Sequence, residues 1–195
     1  MRSNSGRSGL DRTEVRIAGF GGQGVILAGI VLGHAAAVHE GKKAVQTQSY
    51  GAETRGGAAR SEVVISSEKI DYPKVISADI TVAMSQESLE KYGDDMKPGG
   101  ALFVDADLVT SVSTGTAKRI HRVPATKIAA EEFKKTLVAN MVMLGAVAAV
   151  TGVVRLDSLK KSVEEVGAKG SLDLNKRAMD RGFEWANANL RTEPS

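Results

Sequence analysis

The residue order predicts one α/β domain: a mostly parallel sheet with helices on both faces, continued by a helical extension at the C-terminus. Three observations predict it. Short apolar stretches of strand length alternate with helix-length segments, the first stretch runs straight into a cluster of glycines that opens a helix, and the chain from Leu137 onward reads as helix. A chain of 195 residues is long enough for one compact core. There is no internal repeat and no linker that would divide it.

Each element follows from local pattern. Residues 1–12 are Ser, Gly and Arg with almost nothing apolar, which predicts a disordered tail and no secretory signal. The folded unit is expected over 13–190, with 191–195 a second tail. Val15-Arg16-Ile17-Ala18 predicts the first strand, and residues 25–40, rich in Ala, Leu, Ile and Val, a helix stopped by Gly41. Residues 43–48 predict a second strand. Residues 58–66 alternate Ser61, Val63 and Ile65 against Arg60, Glu62 and Val64, the pattern of a half-buried strand. Residues 79–84 predict a strand, 87–92 a short helix, Lys97-Pro98-Gly99-Gly100 a turn, 101–104 a strand closed by Asp105, and 118–123 a last strand before Pro124. Residues 137–154 carry no charge over 18 positions, the lower limit for spanning a bilayer. Asn140, Gly145, Thr151 and Gly152 interrupt them and no aromatic belt flanks them, which predicts a small-residue helix buried in the core or between subunits. Residues 156–190 predict two amphipathic helices with 167–171 between them, and Phe183 and Trp185 would clamp the last one to the body.

Composition excludes several chemistries. No cysteine is present, so the chain alone carries no disulfide, zinc-thiolate site, cysteine nucleophile or cysteine-held iron–sulfur cluster. His34 and His39 lie five apart on one predicted helix and are not expected to share a face, and His121 has no assigned role, so no metal site is expected. A net charge of +3 without a basic stripe, and only 4% aromatic residues, argue against nucleic acid.

Gly19-Phe20-Gly21-Gly22-Gln23-Gly24 has G-x-G-x-x-G spacing between a strand and a helix, which makes the predicted fold Rossmann-like. Such glycines let backbone amides close on an anion at a helix N-terminus. They equally serve a tight turn and close helix–sheet packing, helped by Gly29 and Gly33. The dinucleotide version needs an acid at the end of the second strand, and Gln46-Thr47-Gln48 has none; the P-loop version needs Lys and Ser/Thr after Gly24, where Val25-Ile26 stand. NAD is therefore disfavoured and phosphate is not. Lys42 and Lys43 are read as solvated lysines before they are read as a steering pair for polyphosphate, and Asp105 and Asp107 as turn caps.

Read together, Gly19-Phe20-Gly21-Gly22-Gln23-Gly24-Val25, Gln46-Thr47-Gln48-Ser49-Tyr50-Gly51, Arg55-Gly56-Gly57, Ser61-Glu62-Val63-Val64-Ile65-Ser66 and Lys97-Pro98-Gly99-Gly100 before Asp105 resemble the gamma subunit of 2-oxoacid:ferredoxin oxidoreductases, the pyruvate/ketoisovalerate oxidoreductase gamma-type domain. The likeness runs from about residue 15 to about 182 and is nearest to the 2-oxoglutarate (ketoglutarate) branch. That branch usually has proline after Tyr-Gly; here Ala52 stands, which loosens a turn and removes no functional group. The resemblance implies a cytoplasmic hetero-oligomer in which 2-oxoglutarate is oxidatively decarboxylated to succinyl-CoA. Thiamine pyrophosphate, Mg and iron–sulfur clusters would be held by alpha, beta and delta subunits, coenzyme A would be the acyl acceptor and ferredoxin the electron acceptor. This chain would be inactive alone, with no catalytic residue of its own and no membrane partner.

Ser49, Tyr50, Gly51, Glu53, Arg55, Gly56 and Gly57 are the leading candidates for contact with substrate, coenzyme A or a neighbouring subunit, because two charges, an aromatic and glycines sit on a strand-to-strand loop. Arg55 has the donor fork for a carboxylate or a phosphate; an intersubunit ion pair with Glu53 is the competing reading. Gly19, Gly21, Gly22, Gln23 and Gly24 are the phosphate-loop candidates. Three function classes stay open on the residues alone: a subunit of a thiamine-dependent oxidoreductase (or its indolepyruvate or pyruvate branch), a stand-alone phosphate- or nucleotide-binding module, and a pure assembly protein.

Overall fold

The computed structural model describes residues 12–50, 58–113, 115 and 119–190. In chain order they form β1 (Arg12–Phe20), α1 (Val25–His34) continued by a π turn (Ala35–His39), β2 (Lys43–Tyr50), β3 (Ala58–Ser66), β4 (Ala78–Ala83), α2 (Gln86–Tyr92), β5 (Met96–Asp105), β6 (Arg119–Val123), α3 (Ala125–Phe133), a 3-10 turn (Thr136–Val138), α4 (Ala139–Thr151), α5 (Leu156–Val166), a 3-10 turn (Lys169–Ser171) and α6 (Leu172–Asn189). β1 starts at Arg12, one residue inside the stretch read as tail.

The six strands lie in the order β2-β3-β1-β4-β5-β6. β1, β4, β5 and β6 pair in parallel, and β3 is antiparallel to both β1 and β2, so only β3 runs against the rest. This is the expected α/β sheet with one reversed strand. Its two faces are unequal. α1, α3, α4, α5 and α6 cover one face over Val15, Ile17, Val63, Ile80, Val82 and Phe103, whereas α2 packs on the other with Val64, Leu102 and Val104. β3 was expected to be half-buried; residues 61–66 are all buried, because the strand is flanked on both edges and α1 and α2 press on its two faces. A Cβ on Gly29 would stand 1.9 Å from Ser61 Oγ, so α1 lies directly on β3 there.

Two other expectations change. Lys97-Pro98-Gly99-Gly100 is not a separate turn. It lies within β5 as a bulge, where Ala78 pairs with Met96 and Ile80 with Ala101, so four residues face Asp79 alone. The Lys97 ammonium closes that bulge on the Asp79 carboxylate at 2.8 Å. α3 has no counterpart in the sequence reading, because the groups that start it come from a distant turn. The charge-free run becomes α4, buried over 139–149. α4 and α6 meet backbone to backbone: a Cβ on Gly145 would reach Met179 O at 2.1 Å, and one on Gly182 would reach Val142 O at 1.9 Å. Small residues there are a packing requirement, and no helix among the described residues is long and apolar enough to cross a membrane.

Candidate functional site

The register lines up one end of the sheet. Tyr50 pairs with Ala59, Ala59 with Gly19, and Ala18 with Ala83; beyond them Asp105 pairs with Val123. These positions mark the carboxyl ends of the parallel strands, together with the end of β2 and the start of β3. From β1 the chain crosses over α1 toward β2, while β4 leads to β5 on the other side. Ligands in open α/β sheets collect where the connections diverge in this way, and here a cleft of about 310 Å³ opens there, lined by Gly22, Gln23, Met84, Thr126, Thr136 and Leu137 among others. Among the described residues that line it, none is ionisable.

The glycine loop is built from inside. Gly22 and Gly24 have φ of 97° and 72°, values that a residue with a Cβ reaches only with strain. Gln23 pulls the turn together: its Oε1 accepts from the Phe20 amide at 2.6 Å, and its Nε2 donates to Met84 O at 2.9 Å, tying β1 to β4. Asn140 on α4 donates from Nδ2 to Gly24 O at 2.9 Å, so the buried helix anchors the loop. Asn140 also closes on Gly24, since a Cβ added to Gly24 would lie 2.3 Å from its Nδ2. Two amides of the loop are thus satisfied within it, that of Phe20 by Gln23 Oε1 and that of Gln23 by Phe20 O at 3.1 Å, and the first turn of α1 supplies further donors for an anion.

Asp105 supports the far wall of the cleft. Its Oδ2 accepts from Thr126 N at 3.1 Å and from Thr126 Oγ1 at 2.7 Å, and its Oδ1 accepts from Asp107 N. Asp107 Oδ2 in turn accepts from Lys127 N. The two aspartates therefore start α3, the capping role expected of them. Burial pushes the Asp105 carboxyl above its ordinary value, against the lowering effect of its hydrogen bonds to Thr126 and Asp107. Because the Thr126 hydroxyl proton goes to Asp105, its oxygen is left as an acceptor.

Ser49 and Tyr50 end β2 on the same edge as the glycine loop, and Tyr50 is 66% exposed. Gly51, Glu53, Arg55, Gly56 and Gly57 lie outside the described residues; Tyr50 and Ala58, which flank them, both belong to that edge. Gly19 is buried within β1, while Gly21 and Gly22 are exposed. Lys42 and Lys43 cannot steer a ligand to the loop: they stand at the opposite edge, where Lys43 pairs with Ser66 and Lys42 donates to Val153 O and pairs with Glu40. The β3 strand inserted between β1 and β2 also moves the end of β2 one strand away from the loop, a second reason for the ribose-binding geometry to be missing. His34 and His39 do share a face, contrary to the expectation from helical spacing, because the π turn places residues five apart above one another. Asn140 is a further anchor of the loop, and one amide inside an apolar run is its sequence signal.

The comparisons with known proteins agree with this architecture. Residues 14–185 match the family described as pyruvate ferredoxin/flavodoxin oxidoreductase. The chain is 51% identical over 176 residues to the 2-oxoglutarate synthase subunit KorC of Methanocaldococcus jannaschii, covering 90% of this chain and 94% of the relative. The crystal structure of the keto/oxoacid ferredoxin oxidoreductase gamma subunit from Geobacter sulfurreducens superposes with a TM-score of 0.80 at 41% identity, covering 90% of this chain and 99% of that one. The 2-oxoglutarate:ferredoxin oxidoreductase of Magnetococcus marinus, solved with 2-oxoglutarate, coenzyme A and succinyl-CoA bound, matches with a TM-score of 0.79 at 28% identity; 94% of this chain aligns with 32% of that chain.

Proposed function

Because the chain belongs to the pyruvate ferredoxin/flavodoxin oxidoreductase family, we propose that it works as the gamma-type subunit of a multi-subunit enzyme that converts 2-oxoglutarate and coenzyme A to succinyl-CoA and carbon dioxide while reducing ferredoxin. The observation that carries this reading is the likeness to a 2-oxoglutarate synthase subunit along almost the whole of both chains. Its partners are alpha, beta and delta subunits, with ferredoxin as the acceptor, and a cytoplasmic location is part of the same reading. Thiamine pyrophosphate and iron–sulfur clusters, held by those partners, supply decarboxylation and the electron path. A chain with no cysteine, and with no ionisable group among the described residues that line its cleft, is suited to neither task.

What this chain contributes is surface and position. Phe20, Tyr50, Leu108 and Leu137 are exposed apolar side chains, Phe20 and Tyr50 on the carboxyl-end edge and Leu108 and Leu137 lining the cleft, where they exclude water once a partner covers them. The glycine loop and the first turn of α1 offer amides to an anionic group. Arg55, on the segment that joins β2 to β3, pairs bidentately with a phosphate of coenzyme A or with the 2-oxoglutarate carboxylate. Arg55→Ala in the intact complex tests this. The expected result is a KM for coenzyme A raised about tenfold or more, with kcat little changed, as for loss of one charge-assisted pair. An unchanged KM with unchanged assembly overturns the role of Arg55, and turnover of pyruvate in preference to 2-oxoglutarate overturns the substrate.

A further inference from the structure

At the end of α1 remote from the glycine loop, three potential ligand groups converge on one point. His34 closes α1, His39 closes the π turn, and Glu165 comes from α5; their ligand atoms all lie within 4.8 Å of one another. Glu165 Oε2 is 3.5 Å from His34 Nε2, and Glu165 Oε1 is 3.1 Å from His39 Nε2. Tetrahedral zinc with bonds of about 2.1 Å holds its ligand atoms about 3.4 Å apart, close to the distance at which each imidazole faces its own Glu165 oxygen. We infer that His34, His39 and Glu165 form a site for one divalent transition-metal ion, best matched by zinc, that clasps the π turn to α5.

Three features separate this site from an ordinary surface ion pair. The Ser162 hydroxyl donates to Val31 O at 2.9 Å, so its oxygen must accept from His34 Nδ1 at 3.0 Å. That bond puts the proton on Nδ1 and turns the Nε2 lone pair toward Glu165, the arrangement by which second partners orient metal-bound histidines. His39 Nε2 is buried and makes no hydrogen bond, although a carboxylate oxygen stands 3.1 Å away. The oxygen is near but misaligned, as two ligands are when both face a third body. Finally, the π turn is a local departure from the α-helical repeat, a distortion that recurs at functional sites. It has a specific effect here, because an α-helical repeat would have turned His39 away from His34.

Two imidazoles and one carboxylate form a borderline set that suits zinc, cobalt or nickel and disfavours calcium and magnesium, which need more oxygen ligands. The fourth position is open to water. The bound ion would join α1 to the C-terminal helices, and with no ligand from the cleft edge it is independent of coenzyme A and oxoacid.

The test uses the tag-free full chain. Titration with cobalt, then displacement by zinc, is followed by visible absorption and calorimetry. The expected outcome is one equivalent bound with the intense visible bands of four-coordinate cobalt, and a Tm raised by about 5 °C or more at a hundredfold excess of zinc over Kd. Glu165→Gln, at a half-exposed carboxylate that the fold does not need, weakens zinc at least tenfold; His39→Gln abolishes the cobalt bands, and His121→Gln leaves binding intact. Absence of a stoichiometric site, or binding that survives both Glu165→Gln and His39→Gln, overturns the proposal.

Discussion

The two ends of the sheet use their polar groups in opposite ways. At the amino ends of the parallel strands, charges are consumed in holding the chain together. Arg12 donates to Tyr72 O and Lys74 O and to the Glu14 carboxylate, Glu14 Oε2 accepts from the amides of Ile76 and Ser77, and Asp79 takes the Glu14 amide and Lys97. At the carboxyl ends, the cleft has glycine amides, hydroxyls and exposed apolar side chains, and its charged neighbour, Asp105, is turned inward to start α3. One end is a closed network that stabilises; the other leaves donors and apolar surface open for partners. The division matches the rule that open α/β sheets bind beyond their strand carboxyl ends, and it assigns different expected losses to mutations at each end.

The largest stability loss is expected at the anchored glycine. Gly24→Ala forces a Cβ into φ 72° and against Asn140, which should lower unfolding stability by about 2–3 kcal/mol in urea titration. Adding Asn140→Ala should recover part of it, so the pair is non-additive; strict additivity would show that the loop does not rest on α4. At the opposite end, Glu14→Gln should lose about 1–3 kcal/mol at neutral pH. Burial alone would push Glu14 up, but Arg12 and the amides of Ile76 and Ser77 outweigh it and hold the carboxyl below its ordinary 4.5. A depressed carboxyl contributes stability that is full above about pH 4.5 and is lost as pH falls through its native value. Wild type and Glu14→Gln should therefore converge in acid, with no change in coenzyme A affinity of the complex; a gap that persists at low pH would contradict the ionic cause.

Two smaller effects sharpen the contrast. Gln23→Ala removes two loop hydrogen bonds and should lose about 1 kcal/mol while raising the KM for coenzyme A several-fold; Lys97→Met should lose under about 1 kcal/mol, since the pair it breaks is partly exposed, and should leave KM alone. Equal kinetic effects at both ends would erase the distinction drawn between them.

Local signals carried much of this architecture. Strands that run into glycines, and a helix with no charge, announce themselves by period and length, and β1 to β6, α1 and α4 stand close to where their patterns put them. What stayed hidden was set by distant partners. α3 starts on Asp105 and Asp107, far upstream in sequence. The burial of β3 depends on insertion between β1 and β2, which no alternation within the strand reveals. The shared face of His34 and His39 is not legible from helical spacing, because a π turn, with its i→i+5 hydrogen bonds, leaves no composition signature. At the candidate site, the glycine spacing identifies the edge, whereas the contributions of Asn140, Thr126 and Leu137 require the tertiary packing that brings α4 beside β1 and the start of α3 against the end of β5.

The most direct measurement is oxoacid oxidation by the purified chain alone and after co-expression with its partner subunits, with ferredoxin reduction followed in the presence of 2-oxoglutarate and coenzyme A. The expected result is no turnover for the isolated chain, elution with larger subunits on co-expression, and coenzyme A-dependent ferredoxin reduction by that assembly. Oxidation of 2-oxoglutarate by the single chain, or an assembly as active without this chain as with it, would contradict it.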